Sequence, residues 1–267
     1  MENNRYIEQL RSVVEQFTAR AREELELRWK RWPLDLSKND FHEVVGALLA
    51  RQTSLAVQLA ESPPIWNGHV APIILRAMAD VHITVVWIFR DPMNRPKMFI
   101  HYGLGQQKLQ LEHRRADMKS REPYKGETEH LNSVEQWINS QRAMFLTEVD
   151  LGNWSGTTAR KMAEEADCLD FYNYVYTPFS ACTHSMWHHV ALYNLKQCTN
   201  PLHRLHAVPH IPDFPLDPHY LYLGAKYLQK TFASFDKETG VSIDGLSALD
   251  LVCKAPELVE PFMGGFP

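Results

Sequence analysis

Apolar residues recur at spacings of three and four along most of this chain, which is typical of helices that bury one face. The opening segment, which Pro33 closes, shows the pattern in Tyr6, Leu10, Val13, Val14, Phe17 and Ala21. A second segment runs to Glu61 from Asn39-Asp40, the predicted N-cap. The sequence has no alternating pattern of useful length, so the prediction is an all-α, multi-helix bundle.

Two later segments are apolar on most sides, and we expect them to be neighbouring core helices of the bundle. The first runs from about His69 to Arg90. The second runs from Cys168 to Lys196, with Pro178 as its one helix breaker, and a kink is predicted at that proline. Further helices are predicted at 96–119, 129–149, 157–166 and 217–235.

The region after the second apolar segment is rich in proline. Five prolines between Thr199 and Pro218 predict a long irregular connection, which in a compact domain often lies over a functional surface. The tail after Gly240 is expected to be loosely held. The predicted organisation is one domain over 1–267, with an N-terminal helix at 1–33, a core bundle at 39–197, and the connection, last helix and tail at 199–267.

Composition narrows the class of protein. With 267 residues, 45% of them hydrophobic and 22% charged, the chain has enough apolar material for one large core. Its four scattered cysteines form no C-x-x-C pair, and no apolar run approaches the roughly 18 residues of a membrane span. A cytoplasmic protein without a membrane partner is therefore expected. The net charge of -4 limits any nucleic-acid surface to a local patch, and the basic cluster at 113–125 is interpreted as a solvated face.

Polar side chains within the two apolar segments are the candidates for chemistry, because a buried charge is costly unless it is paired or used. Arg76 and Asp80 are four residues apart and share one helix face, either as a structural ion pair or as part of a site. The second apolar segment carries a polar stripe at spacings of four: Tyr172, Tyr176, Ser180, His184 and His188. Two interpretations of this stripe are open. Its hydroxyls and imidazoles provide an acid, a base and a phosphate contact for catalysis, or they form a buried hydrogen-bond network.

These positions also belong to a set of motifs found in a known family. The motifs are Asn153-Trp154-Ser155-Gly156, Ala163-Glu164, Arg76-x3-Asp80 and Tyr172-x3-Tyr176-x3-Ser180-x3-His184-Ser185. With them the sequence resembles, over roughly residues 40–195, a group of bacterial helical proteins known as domain-of-unknown-function family 5677. The resemblance implies an all-helical fold in which the Arg-x3-acid helix faces the Tyr/Ser/His helix, and it implies no established activity.

As a helical protein with paired Arg and His, the chain is also similar to the HEPN ribonucleases of toxins and phage defence. The signature of these enzymes is R-x4-6-H. Roughly two such pairs are expected here by chance alone. Three are present: Arg76 with His82, Arg95 with His101, and Arg204 with His210. Six residues along a helix rotate a side chain by about 240°, so Arg76 and His82 should not converge on one phosphate. A HEPN-like site would instead combine Arg76 and His184 across helices.

Metal binding is a weaker alternative. His184 and His188 have the i, i+4 spacing of a helical ligand pair, but the glutamate of a zinc-protease motif is missing and no third ligand is evident. Histidines of the proline-rich connection form a second possible cluster: His203, His206, His210 and His219. Loop histidines are more often only solvated, so neither a metal nor another cofactor is predicted.

The leading hypothesis is a metal-independent RNA phosphodiesterase, acting as a toxin or defence effector, with its site between the two apolar helices. Arg76 would neutralise the phosphate and His184 would act as acid or base. Tyr176, Ser180 and Asp80 would orient them. The alternative is a non-catalytic sensor or adaptor in which these residues form a closed network and the outer helices bind a protein partner or a second copy of the chain. A catalytic site needs a cleft at His184, whereas a structural network does not.

Overall fold

A computed structural model describes residues 2–141 and 154–255 of the chain. Its helices are α1 (Glu2–Arg31), α2 (Asn39–Ala60), α3 (Ala71–Phe89), α4 (Arg95–Met118), α5 (Glu127–Ser140), α6 (Ala159–Glu165), α7 (Leu169–Phe171), α8 (Thr177–Thr183), α9 (Trp187–Asn194), α10 (His219–Thr239) and α11 (Ala248–Cys253). Two short strands, β1 (Leu195–Gln197) and β2 (Ala207–Pro209), pair antiparallel with Lys196 opposite Val208. The prediction of an all-α, multi-helix fold is confirmed.

The start of α2 differs in detail from the prediction. A short 3-10 turn, Leu36–Lys38, precedes it, and Asp35 caps that turn by accepting a hydrogen bond from the backbone N–H of Ser37 at 3.0 Å. Asn39 is already the first residue of α2, and its side-chain amide donates to Glu43 one turn later at 2.8 Å. Asp35 therefore begins the preceding turn, whereas Asn39, predicted to be part of the N-cap, lies inside α2, whose N-cap residue Lys38 makes no side-chain capping hydrogen bond.

The centre of the molecule is formed by α2, α3 and α10, which pack on one another, while α1 and α11 cover them from one side. All three central helices contribute fully buried side chains: Leu49, Leu59, Leu75, Met78, Ile83, Leu228 and Phe232. The central position predicted for α3 is observed. By length and hydropathy α3 could also cross a membrane, but 78% of its apolar stretch is buried inside the protein, as in the core helix of a soluble protein.

The second apolar segment is not the continuous core helix that its composition predicted. It is divided into α7, a π-helical stretch (Tyr172–Tyr176), α8 and α9, and its last residues form β1. Pro178 lies in the first turn of α8, and the break comes later, at Ser185, where φ is +50°. Although α8 packs on α3, Trp187 and Leu192 of α9 expose most of their surface. Exposed apolar residues are common, so aromatic content alone does not locate a core helix.

The chain after Gly240 packs firmly as far as residue 255. The helix α11 begins with a capping box, in which Ser247 and Asp250 exchange side-chain and backbone hydrogen bonds. Its Ala248 and Val252 are buried where α11 packs on α1 and α10. The expectation of a loosely held tail is therefore wrong for 241–255, and 256–267 lie outside the described residues.

A smaller cluster beside the core joins α4 to α5. Leu111 of α4 packs with Leu131 and Ile138 of α5. In the basic cluster, Arg115 binds both carboxylate oxygens of Glu135 on α5, at 2.8 and 2.6 Å. This pairing is consistent with a solvated, internally neutralised face. The helix predicted over 129–149 is observed up to residue 140, and its part from 142 onward lies outside the described residues.

Candidate functional site

Arg76 lies in the middle of α3 and exposes 7% of its surface. Its Nε–H donates to Oγ of Ser180 on α8 at 2.8 Å, and its Nη1 pairs with Asp80 one turn along α3. The guanidinium also lies over the ring of Tyr176, 3.2 Å from the ring centroid. The Arg-x3-Asp pair and its contact with the Tyr/Ser segment are thus both present, as the sequence predicted.

We term these four residues (Arg76, Asp80, Tyr176 and Ser180) the Arg76 network. Ser180 and Tyr176 form its inner part. The Ser180 hydroxyl accepts from Arg76 and donates to the backbone carbonyl of Tyr176 at 2.7 Å. Burial raises the pKa of the Tyr176 phenol, while the Arg76 charge opposes this, so the phenol is neutral at pH 7. The Tyr176 ring stacks on that of Tyr172, with centroids 4.6 Å apart and 24° between the planes.

Asp80 lies at the solvent-exposed rim of the network. Its side chain is 53% exposed, in contrast to the buried guanidinium beside it. Desolvation of the packed half raises the pKa of the Asp80 carboxyl, and the charges of Arg76 and His184 act in the opposite direction. The carboxyl therefore has an arginine on its buried side and is within electrostatic reach of a histidine.

His184 is exposed and directly follows α8, where its backbone N–H bonds to the carbonyl of Ser180 at 3.0 Å. The chain leaves the helix at this point, so the predicted stripe ends at Ser180 as a helical feature. His188 lies beyond the break at Ser185, on α9, and is also exposed. The helical i, i+4 relation on which the His184/His188 metal alternative depended is therefore interrupted.

The Arg76 network does not line the best-defined surface cavities. Five such cavities in the described part of the chain, of about 210 to 540 Å³, are lined neither by a member of the network nor by His184. The largest of these five lies between α2, α4 and the end of α5. The network thus has a closed interior at Arg76 and Ser180 and an open rim at Asp80 and His184.

His82, the R-x4-6-H partner of Arg76, points elsewhere, as the helical rotation predicted. It is 1% exposed, and its Nδ1 lies 3.1 Å from Oγ1 of Thr231 on α10. The amide of Gln52 on α2 donates to the same hydroxyl at 2.9 Å. Sequence analysis missed this polar network between the three central helices. A histidine inside the most apolar helix was its one visible signal.

Comparison with protein families gives one result. A family model described as a family of unknown function, DUF5677, matches residues 42–200, which is more than half of the chain. The chain belongs to the DUF5677 family. Searches of curated proteins and of solved structures found no significant match. The DUF5677 range contains the Arg76 network and His184 but excludes α1, α10 and α11, which complete the core.

Proposed function

We propose that this DUF5677 protein is a cytoplasmic, metal-independent RNA phosphodiesterase whose reacting groups are at the rim of the Arg76 network. One observation carries the proposal: Asp80, which pairs with the buried Arg76, is exposed at the rim of the network and lies within electrostatic reach of the exposed His184. A carboxyl and an imidazole arranged in this way are typical of acid–base sites.

His184 is the proton acceptor in this proposal. The neutral imidazole takes the proton of an RNA 2′-hydroxyl, and the 2′ oxygen attacks the adjacent phosphorus. The bond from phosphorus to the 5′ oxygen breaks, leaving a 2′,3′-cyclic phosphate, and the departing oxygen takes a proton from water. The imidazolium gives its proton to the hydroxide that this leaves, which restores the neutral imidazole. In the proposal, the Asp80 carboxylate stabilises the imidazolium that forms, as the aspartate of a Ser-His-Asp triad does for its histidine.

Arg76 takes a different role from the one that its sequence position suggested. Because Ser180, Asp80 and Tyr176 occupy its guanidinium, direct neutralisation of a phosphate would require it to release these contacts. We assign it the positioning of Asp80 instead. Ser180 and Tyr176 hold the arginine in place.

Tyr172 supplies the contact with RNA in this proposal. It is half-buried and stacks on Tyr176, whose opposite face is covered by the Arg76 guanidinium, so the outer face of Tyr172 is the ring surface left for a base. Single-stranded RNA is commonly held by stacking of its bases on aromatic rings, at about 1–3 kcal/mol per base.

The His184→Ala variant tests this function. We expect it to lose cleavage of single-stranded RNA in the presence of EDTA, while its free energy of unfolding stays within about 0.5 kcal/mol of the wild type because the ring is exposed. His188→Ala is the matched control, since His188 is also exposed but lies beyond the break in the helix at Ser185. This variant should cleave RNA normally. Full activity in His184→Ala would refute the assignment.

A second candidate is the non-catalytic sensor or adaptor. It is favoured by the closed interior of the Arg76 network, which fastens α8 to α3, and by the finding that His184 lines none of the five cavities, since a structural network needs no cleft there. In this case, the wild-type protein cleaves no RNA, and substitutions of Arg76 act on stability and on the binding of a protein partner or second copy. The RNA assay above separates the two candidates.

A further inference from the structure

The hairpin formed by β1 and β2 brings three metal-ligating side chains together. Cys198 directly follows β1, and its backbone N–H bonds to the carbonyl of His206 at 3.0 Å, which extends the strand pairing by one step. The ligand atoms of Cys198, His203 and His206 all lie within 4.8 Å of one another. One short loop, whose ends are held by the strand pairing, therefore supplies a thiol and two imidazoles.

We propose that Cys198, His203 and His206 bind one divalent ion of the zinc class, with a fourth coordination position open. Zinc bonds of about 2.3 Å to sulfur and 2.0–2.1 Å to nitrogen, at a tetrahedral angle, separate the two ligand atoms by about 3.6 Å. The Sγ of Cys198 and the Nδ1 of His203 are 3.7 Å apart. Thiolate and imidazole ligands favour zinc over magnesium or calcium, which prefer oxygen.

The surroundings of the three ligands fit a metal site that is open to solvent. Cys198 is partly buried, whereas His203 and His206 are exposed, so an ion and a fourth ligand have direct access. The amide of Asn200 lies 3.2 Å from Nε2 of His203, on the side of the ring away from Cys198, and restrains its orientation. This cluster contains two of the four histidines that the sequence suggested, together with Cys198. His210 and His219 are not part of it: His210 bonds through its backbone N–H to the carbonyl of Asn194, and His219 begins α10. The site does not depend on the proposed RNA cleavage.

Titration of the full-length, reduced protein with Co²⁺ and then Zn²⁺ tests the proposal. We expect one Co²⁺ per chain with a thiolate-to-cobalt charge-transfer band, displaced by one equivalent of Zn²⁺. Cys198→Ser should lose the band, and His203→Ala should weaken Zn²⁺ binding more than the 10–100-fold typical of outer-shell losses. Cys253→Ser, which removes an exposed thiol on α11, and His188→Ala are controls that should bind normally.

Amide hydrogen exchange gives a second readout. Zinc should slow exchange in the loop 198–206 of the wild type and have no such effect in Cys198→Ser, whose circular dichroism should match that of the wild type. Absence of stoichiometric binding, or unchanged binding in Cys198→Ser, would overturn the proposal and leave a Cys198–His203 hydrogen bond as the explanation of the cluster. Loss of the band in Cys253→Ser would also overturn it.

Discussion

Arg76 contacts three partners with one side chain, and the exposure of each partner determines what its loss costs. Asp80 is 53% exposed, so water compensates part of its loss, and Asp80→Ala should cost about 1 kcal/mol rather than the 3 kcal/mol or more of a fully buried pair. Arg76→Lys should cost about 2 kcal/mol, because a lysine ammonium cannot bond Ser180, pair with Asp80 and stack on Tyr176 together. Urea unfolding measures both. A milder effect for Arg76→Lys than for Asp80→Ala would contradict the geometry.

At the scale of the elements, His82 makes the packing of α3 on α10 sensitive to pH. The Thr231 hydroxyl donates to the carbonyl of Tyr227 at 3.0 Å, so the Nδ1 of His82 donates to the Thr231 oxygen. Burial, aided by the charge of Lys230, lowers the pKa of His82 to about 3. Because this is below the unfolded value of about 6.5, its contribution to stability is complete above pH 6.5 and is lost as the pH falls toward 3.

The His82→Asn variant tests this pH dependence. Asparagine keeps an N–H donor for Thr231 but does not titrate, so the variant should be less stable at pH 7 and show a flatter decline below it. Wild type should lose about 2 kcal/mol more than the variant between pH 6.5 and 5, at about 1.4 kcal/mol per pH unit. Denaturant unfolding at several pH values measures the difference, and parallel curves for the two proteins would exclude a buried neutral His82.

The helical period predicted α2 well because its apolar residues recur on one face and are buried there, and α3 was predicted well because it is apolar on most sides and lies at the centre. The site was partly predictable for the same reason: Arg76 and Asp80 share a face of α3, and Ser180 meets them. The break at Ser185 was not predictable, since a serine with positive φ leaves no mark in the sequence. The central role of α10 also depends on tertiary packing, which local periodicity does not encode.

At the scale of the whole molecule, a buried ion pair joins the N-terminal helix to α10. Arg28 is 2% exposed, binds both carboxylate oxygens of Asp236 at 2.8 and 2.7 Å, and lies 4.0 Å from the centre of the Phe232 ring. The partners are 208 residues apart, and no sequence pattern pairs them. This link fixes α1, which lies outside the DUF5677 range, onto the core.

Loss of this link should be among the more damaging changes in the protein. Asp236→Ala leaves a buried guanidinium with Glu24 as its remaining acidic neighbour, and we expect a cost of about 3–5 kcal/mol in guanidinium chloride unfolding. The exposed pair between Arg22 and Glu61 is the matched control, and Glu61→Ala should change stability by about 0.5 kcal/mol or less. Similar small effects for both variants would show that Arg28 does not hold α1 in place.

Cleavage of a matched pair of oligonucleotides is the most direct test of RNA cleavage at the rim of the Arg76 network. Purified wild-type protein is incubated in EDTA with a labelled single-stranded RNA and with the same sequence carrying 2′-O-methyl groups. Because the 2′-hydroxyl is the nucleophile, the RNA should be cut to fragments ending in a 2′,3′-cyclic phosphate and the methylated strand should remain intact. No cleavage of either strand, equal cleavage of both, or cleavage that requires an added divalent metal would contradict the proposed function.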